Sequence, residues 1–191
     1  MKLKLEKQNI FFISDSHFFH ANVIGFDNRP FNDVNEMNET MITNWNSVVG
    51  EEDTIFYLGD LSFNRKNEAN KELVHKLNGK IHFILGNHDD EKEIIKLNRF
   101  ETVSDYINLK VEDDDGNNGF QNIVMMHYPI LSWDKKYYGA WMLHGHCHQN
   151  LIESNPTFYE NKVLDVGCNG INYTPINYFE VKEIMLNKKI N

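Results

Sequence analysis

The sequence predicts an α/β fold in which mixed β-sheets are flanked by helices. Three observations carry that expectation. The runs at 10–13, 55–58 and 81–85 are apolar without alternation, the pattern of strands buried on both faces. Between them, apolar residues recur at steps of three and four, the period of a helix face. After residue 100 the chain turns β-rich, with short apolar runs separated by turn residues.

Taken in order, the first strand is 10–13. Val34, Met37, Met41, Trp45 and Val48 then mark one helix face. Asp33 and Glu36 suit a capping arrangement at its start and Gly50 its end. The strand at 55–58 leads to a second helix marked by Ala69, Leu73 and Leu77 and stopped by Asn78-Gly79. The strand at 81–85 precedes a shorter helix beginning after Asp89-Asp90. Helices joining parallel strands cross over in right-handed units. Further strands are expected at 106–111, 122–126, 140–143, 162–166 and 177–181. The acidic run 112–119 lacks the later bidentate glutamate of a calcium loop. Its Asp-Gly and Asn-Gly pairs predict a solvated hairpin tip instead. No repeat or low-complexity linker divides the chain, so one domain is expected over 1–191.

Composition narrows the function classes. A chain of 191 residues is long enough to bury a real core. The net charge of −9 argues against nucleic acid as a bulk partner, because phosphate contacts need a basic face. Bound metal would neutralise part of that charge. No apolar run approaches a membrane span. The basic start, Met1 to Lys7, is followed by an apolar stretch of only 10–13, too short for a secretory signal. Cys147 and Cys168 make no disulfide framework, and a reducing cytoplasm is the expected location.

Chemistry gathers at the ends of the strand-like runs. Asp15 and His17 follow the first, Asp60 the second, and Asn87 with His88 the third. His127 follows 123–126, and His146 and His148 follow 141–143. In an open α/β sheet that edge is where ligands bind. Carboxylate, amide and imidazole donors in these numbers are what two divalent ions need. In an extended segment residues i and i+2 point the same way, so Asp15 with His17, and His146 with His148, are expected to aim together.

In every one of these blocks the chain resembles the calcineurin-like metallophosphoesterases. The run from Ser14 through Asn22 to Arg29-Pro30-Phe31 resembles their short bacterial and phage members. The resemblance implies a sandwich of mixed sheets with a dimetal site at the carboxyl ends of its strands. It places Asp15, His17, Asp60 and His148 on a first ion, with Asp60 bridging to a second held by Asn87, His127 and His146. The ions would be manganese, iron, zinc, cobalt or nickel. The implied reaction is hydrolysis of a small phosphodiester or phosphomonoester, nucleotide-like in one version, by in-line attack of a dimetal-bound hydroxide. His88 would be the general acid; its bland alternative is support for Asn87. The competing readings are a nuclease acting with a partner and a non-catalytic metal-binding interaction module.

Several residues around this set have two readings. His20 and Arg29 suit contacts to a phosphate oxygen, or a structural role, with Arg29 packing on Phe31. Trp133, Tyr137 and Tyr138 suit base stacking or plain packing. His144 is expected to support its neighbours rather than bind metal, and both cysteines are expected in the core. The phosphoprotein phosphatases of the resembled family carry aspartate and arginine where this chain has Phe63 and Asn64, with Arg65 displaced by one. That departure argues for a small organic phosphoester.

Overall fold

The computed structural model describes residues 2–6, 10–64 and 67–190. Arg65 therefore lies outside the described residues.

The architecture is a mixed α/β fold of two five-stranded sheets flanked by helices. One sheet contains β2 (Ile10–Ile13), β3 (Thr54–Tyr57), β4 (Lys80–Ile84), β5 (Thr102–Ser104) and β10 (Ile176–Asn177). Their order is β10-β2-β3-β4-β5, with β2 to β5 parallel and β10 antiparallel to β2. The other sheet contains β1 (Lys2–Glu6), β6 (Tyr106–Glu112), β7 (Phe120–Met126), β8 (Trp141–His144) and β9 (Val163–Asp165), paired in that sequence. The β6–β7 pair is antiparallel and folds the acidic run into its tip, as the turn chemistry predicts.

Strand alternation assigns each side chain to a layer. Phe11, Ile13, Ile55, Tyr57, Ile81 and Phe83 face the helices, where Met37, Met41 and Trp45 complete one core cluster. Ile10, Phe12, Phe56, Leu58 and Ile84 face the second sheet and meet Leu109, Ile123, Met125 and Leu143. The apolar runs are thus buried on both faces. A third cluster, built on Val124 and Met142, covers the outer face of the second sheet.

The predicted helices are present as α2 (Val34–Val48), α3 (Asn67–His75) and α4 (Glu91–Lys96), preceded by a short α1 (Ala21–Phe26). Asp33 caps α2 by accepting from the N–H groups of Asn35 and Glu36. Glu36, however, reaches Asn32 rather than closing a box on Asp33. Gly50 is not the left-handed terminator expected; its N–H is held by Asp53 instead.

The expected strand 177–181 is corrected. Only Ile176–Asn177 pair as β10, and α7 (Tyr178–Leu186) begins at once. Asn177 accepts from Phe179 and Glu180, and Glu180 accepts from the Asn177 N–H. That closed capping box turns the chain helical despite its β-prone composition. Two small helices, α5 (Leu151–Ser154) and α6 (Pro156–Tyr159), also lie outside the predicted set. No helix among the described residues is long and apolar enough to cross a membrane.

Candidate metal centre

The carboxyl ends of β2, β3 and β4 from one sheet and of β7 and β8 from the other meet at a single edge. They are stitched together by backbone hydrogen bonds. Asp15 donates to Gly59, His17 to Asp60, Gly145 to His127, and Cys168 to Ser14. The loops leave their strands through left-handed residues: φ is 56° at Asp15, 49° at His17, 59° at Asp60, 68° at His146 and 46° at His148. Such a conformation costs roughly 1–3 kcal/mol at a non-glycine residue. The extended geometry expected for the two x-spaced pairs is therefore not what aims them; sharp turns do. One consequence is that His146 and His148 diverge.

Two groups of donors result. In the first, the Nε2 atoms of His17 and His148 face each other at 3.0 Å. His148 Nε2 lies 3.6 Å from Asp15 Oδ1, and His17 Nε2 lies 3.7 Å from Asp60 Oδ2. In the second, Asn87 Oδ1 is 2.9 Å from His127 Nε2 and 2.8 Å from His146 Nδ1. His127 Nε2 lies 3.6 Å from Asp60 Oδ2. That one carboxylate oxygen stands beside both groups.

The residues fit divalent ions on three counts. Ligand atoms at 2.0–2.1 Å from a shared tetrahedral ion are about 3–3.5 Å apart, the spacing seen here. Donor atoms of Asp15, His17 and His148 lie within 4.8 Å of one another, as do those of Asp15, Asp60 and His127. Finally, the Nε2 atoms of His17 and His148 point at each other beside the buried carboxylates of Asp15 and Asp60, an arrangement that an ion between them would satisfy.

Electrostatics carry the same mark. Burial pushes the Asp60 carboxyl up and drives the His17 imidazole down to about 3. Burial also opposes charge on Asp15, but the hydrogen bond from His148 and the nearby imidazoles His127 and His148 win, and its pKa is lowered. His148 is itself raised to about 10, because Asp15 and Asp27 outweigh its desolvation. The surroundings of His148 thus favour positive charge where a cation would sit.

The surrounding shell is partly new. Asp89 accepts the N–H groups of Asp60, Leu61 and Gly86, fixing the loop that presents Asp60. Asp90 caps α4. Asp165 accepts from Gln149 and Gly167, holding the loop that carries His146 and His148. His144 is fully buried, bonded to Gly145 O and Tyr159 Oη, and has no place among the donors. Asp27, which the motif pattern did not single out, receives His148 Nδ1 at 2.8 Å. Capping of α4 by Asp89 or Asp90 was legible from their place before it, whereas Asp27 and Asp165 had no sequence signal beyond lying near a motif.

His88 stands at the rim. Its side chain is 47% exposed, with Nε2 4.0 Å from Asp60 Oδ2. Its backbone N–H donates to Asp60 Oδ1 at 2.9 Å, so its position is tied to the shared carboxylate. A cavity of about 400 Å³ opens over the donors and is lined by His20, Phe26, Phe63 and His88 beside them. His20 stacks on Phe63 with ring centroids 3.8 Å apart.

Arg29 is not in that cavity. Its side chain is fully buried, and its guanidinium is spent on Asp27 and on the carbonyls of Asp15 and Ser16. The expected phosphate contact by Arg29 is replaced by this structural one. Trp133 is likewise buried, its Nε1 donating to Ala140 O. Tyr137 and Tyr138 are exposed but precede β8, at the end of the sheet remote from the donors. The expected stacking surface is therefore absent from this segment. Tyr128 instead packs edge-on to His127 and His146. Cys168 is buried and Cys147 half-buried, and burial pushes both thiols up to about 12.

Comparison with known proteins places the chain among relatives. No protein-family model matches it. It is 38% identical over 176 residues to the uncharacterized protein MJ1445 of Methanocaldococcus jannaschii, covering 91% of this chain and 89% of that one. The chain belongs to the same family as that archaeal protein. It is also 29% identical over 171 residues to the Gene 66 protein of Mycobacterium phage L5 and 30% over 174 residues to that of phage D29. These matches cover 76% and 78% of the chain, and 80% and 83% of the phage proteins. A protein of unknown function, AQ665 from Aquifex aeolicus, shares the fold with a TM-score of 0.70 at 24% identity, covering 92% of this chain and 98% of that one.

Proposed function

We propose that the protein is a dimetal phosphoesterase of the calcineurin-like metallophosphoesterase superfamily, acting on a small phosphodiester or phosphomonoester. The observation that carries this reading is the shared carboxylate: Asp60 Oδ2 stands beside both donor groups, 3.7 Å from His17 and 3.6 Å from His127. Asp15, His17, Asp60 and His148 would hold one ion; Asp60, Asn87, His127 and His146 the other. Two such ions would supply Lewis acidity at a phosphoryl group and a source of hydroxide near neutral pH.

The chain's own residues do the rest. Asp60 offers an anion between two cations that otherwise repel. His88 lines the cavity from a backbone anchored on Asp60, and its Nε2 would give a proton to the leaving-group oxygen. His20 and Phe63 form one wall, and Phe26, 75% exposed, forms the lip. No lysine or arginine is among the described residues lining the cavity. The organic group of a diester would lie against Phe26 and Phe63.

The test is a screen of metal-reconstituted protein against monoesters, linear diesters and cyclic nucleotides. Hydrolysis of at least one class, abolished by chelation and restored by metal, is expected. A folded protein loaded with two ions that hydrolyses none of them would overturn the reading.

A further inference from the structure

The fully buried guanidinium of Arg29 sits where no charge would be left without a purpose, since an unpaired buried cation is strongly destabilising. Besides Met37 Sδ and the Tyr173 ring, its contacts lead to the first donor group. Nη1 donates to Ser16 O at 2.8 Å and Nη2 to Asp15 O at 3.0 Å. These carbonyls flank the left-handed turn that presents Asp15 and His17. Nη2 and Nε also reach Asp27 Oδ2, at 3.1 and 3.3 Å. The same Oδ2 lies 2.8 Å from His148 Nδ1.

An ionised carboxylate only accepts. His148 Nδ1 must therefore carry the hydrogen, which in a neutral ring leaves the lone pair on Nε2. That is the atom facing His17 Nε2 and Asp15 Oδ1. A carboxylate behind a metal-ligating imidazole fixes the ring's tautomer and orientation and raises its basicity. Here the carboxylate is itself held by an arginine that also grips the backbone of the opposing ligands.

We propose that Asp27 and Arg29 are positioning residues for the first ion, a strut that holds the His148 ring and the Asp15 turn in register and sets the affinity of that site alone. This rests on the metal-centre reading above. Among the described residues neither Asp27 nor Arg29 is bonded to His127, Asn87 or His146: His127 Nδ1 is bonded to Leu58 O and Asn87 to the two histidines, and the link to this group runs through Asp15, whose carboxylate accepts the His146 N–H. A merely structural role would lower stability or weaken both sites together; a strut weakens one.

The test titrates chelator-treated protein with manganese(II) by calorimetry, comparing wild type, Asp27→Ala and Asp27→Asn. Wild type should bind two ions. Asp27→Ala should weaken one of them by about 10–100-fold and leave the other within about twofold. Asp27→Asn keeps an oxygen for His148 and Arg29 and should lose less. The zinc-loaded wild type should show His148 protonated at Nδ1 by nitrogen-15 NMR. If Asp27→Ala fails to fold, Asp27→Asn carries the test through its smaller, still one-sided loss. Folded variants that bind both ions as wild type does, or lose both equally, overturn the strut while leaving the metal centre standing. Wild type that binds no ion removes the metal centre and the strut with it.

Discussion

At the scale of single residues, the account separates those that hold the site from the one that acts on the leaving group. His88 is anchored through its backbone to Asp60 and stands at the rim, outside both donor clusters. His88→Ala should keep metal content and lower turnover by about 10²–10⁴ on an ester with a poor leaving group. On nitrophenyl esters, whose leaving group needs no proton, the loss should be much smaller. Equal losses on both, with metals intact, would count against proton donation. Phe26 gives a second test. Its ring is exposed at the cavity lip, so Phe26→Ala should raise KM for aryl or nucleotide diesters several-fold and leave a methyl diester unchanged; a uniform effect would remove Phe26 from substrate contact. The donors themselves were legible in the sequence because each closes an apolar strand run. Asp27 and Asp165 were not, because a carboxylate that serves another side chain carries no pattern of its own. Arg29 misled for the same reason: a loop arginine near a motif looks alike whether it points out or in.

At the scale of elements, the site depends on how closely the strand ends approach. Gly59, with φ of 93°, lies at the end of β3, and a Cβ there would stand 2.6 Å from Gly86 N and 2.7 Å from His127 Nδ1. Gly59→Ala therefore meets both backbone strain and overpacking, roughly 2–5 kcal/mol together. Gly25→Ala in α1, where a Cβ meets nothing within 4 Å, is the control and should be neutral or slightly stabilising. Chemical denaturation compares them; equal stability of the two variants would contradict the packing described. The elements themselves were unevenly legible. α2, α3 and the strands β2 to β4 follow from periodicity, since their apolar positions are dictated by burial on one stripe or two faces. The region after Asn177 was misread because Tyr178, Phe179 and Val181 are β-prone, and the capping pair Asn177 and Glu180 decided the outcome.

At the scale of the whole molecule, two sheets are held together through an interior that resists protonation. Burial drives His144 down to about 4 and His17 to about 3, while unfolded imidazoles titrate near 6.5. As pH falls from about 7 towards 4, the unfolded chain binds protons at these two positions that the folded chain refuses, so their contribution is lost on acidification, whereas His148, raised to about 10, loses its own as pH rises from about 6.5 towards 10. For His144 alone the full loss is on the order of 3 kcal/mol. Asp165, raised to about 6 by burial, and Asp60 and Asp89, also raised by burial, run the other way, so the His144 contribution is read against a variant that lacks it. In metal-free protein the urea midpoint of wild type relative to that of His144→Gln should therefore fall between pH 7 and pH 4.5; a difference that stays constant or rises on acidification would contradict this. The larger claim is that both sheets deliver their donors to one carboxylate, and metal stoichiometry tests it most directly. Elemental analysis after loading and dialysis should find two ions per chain in wild type. Asp60→Asn should retain neither at full occupancy, and His17→Ala should lose chiefly one. An Asp60→Asn protein that is folded and still holds two ions as tightly as wild type would contradict the shared centre.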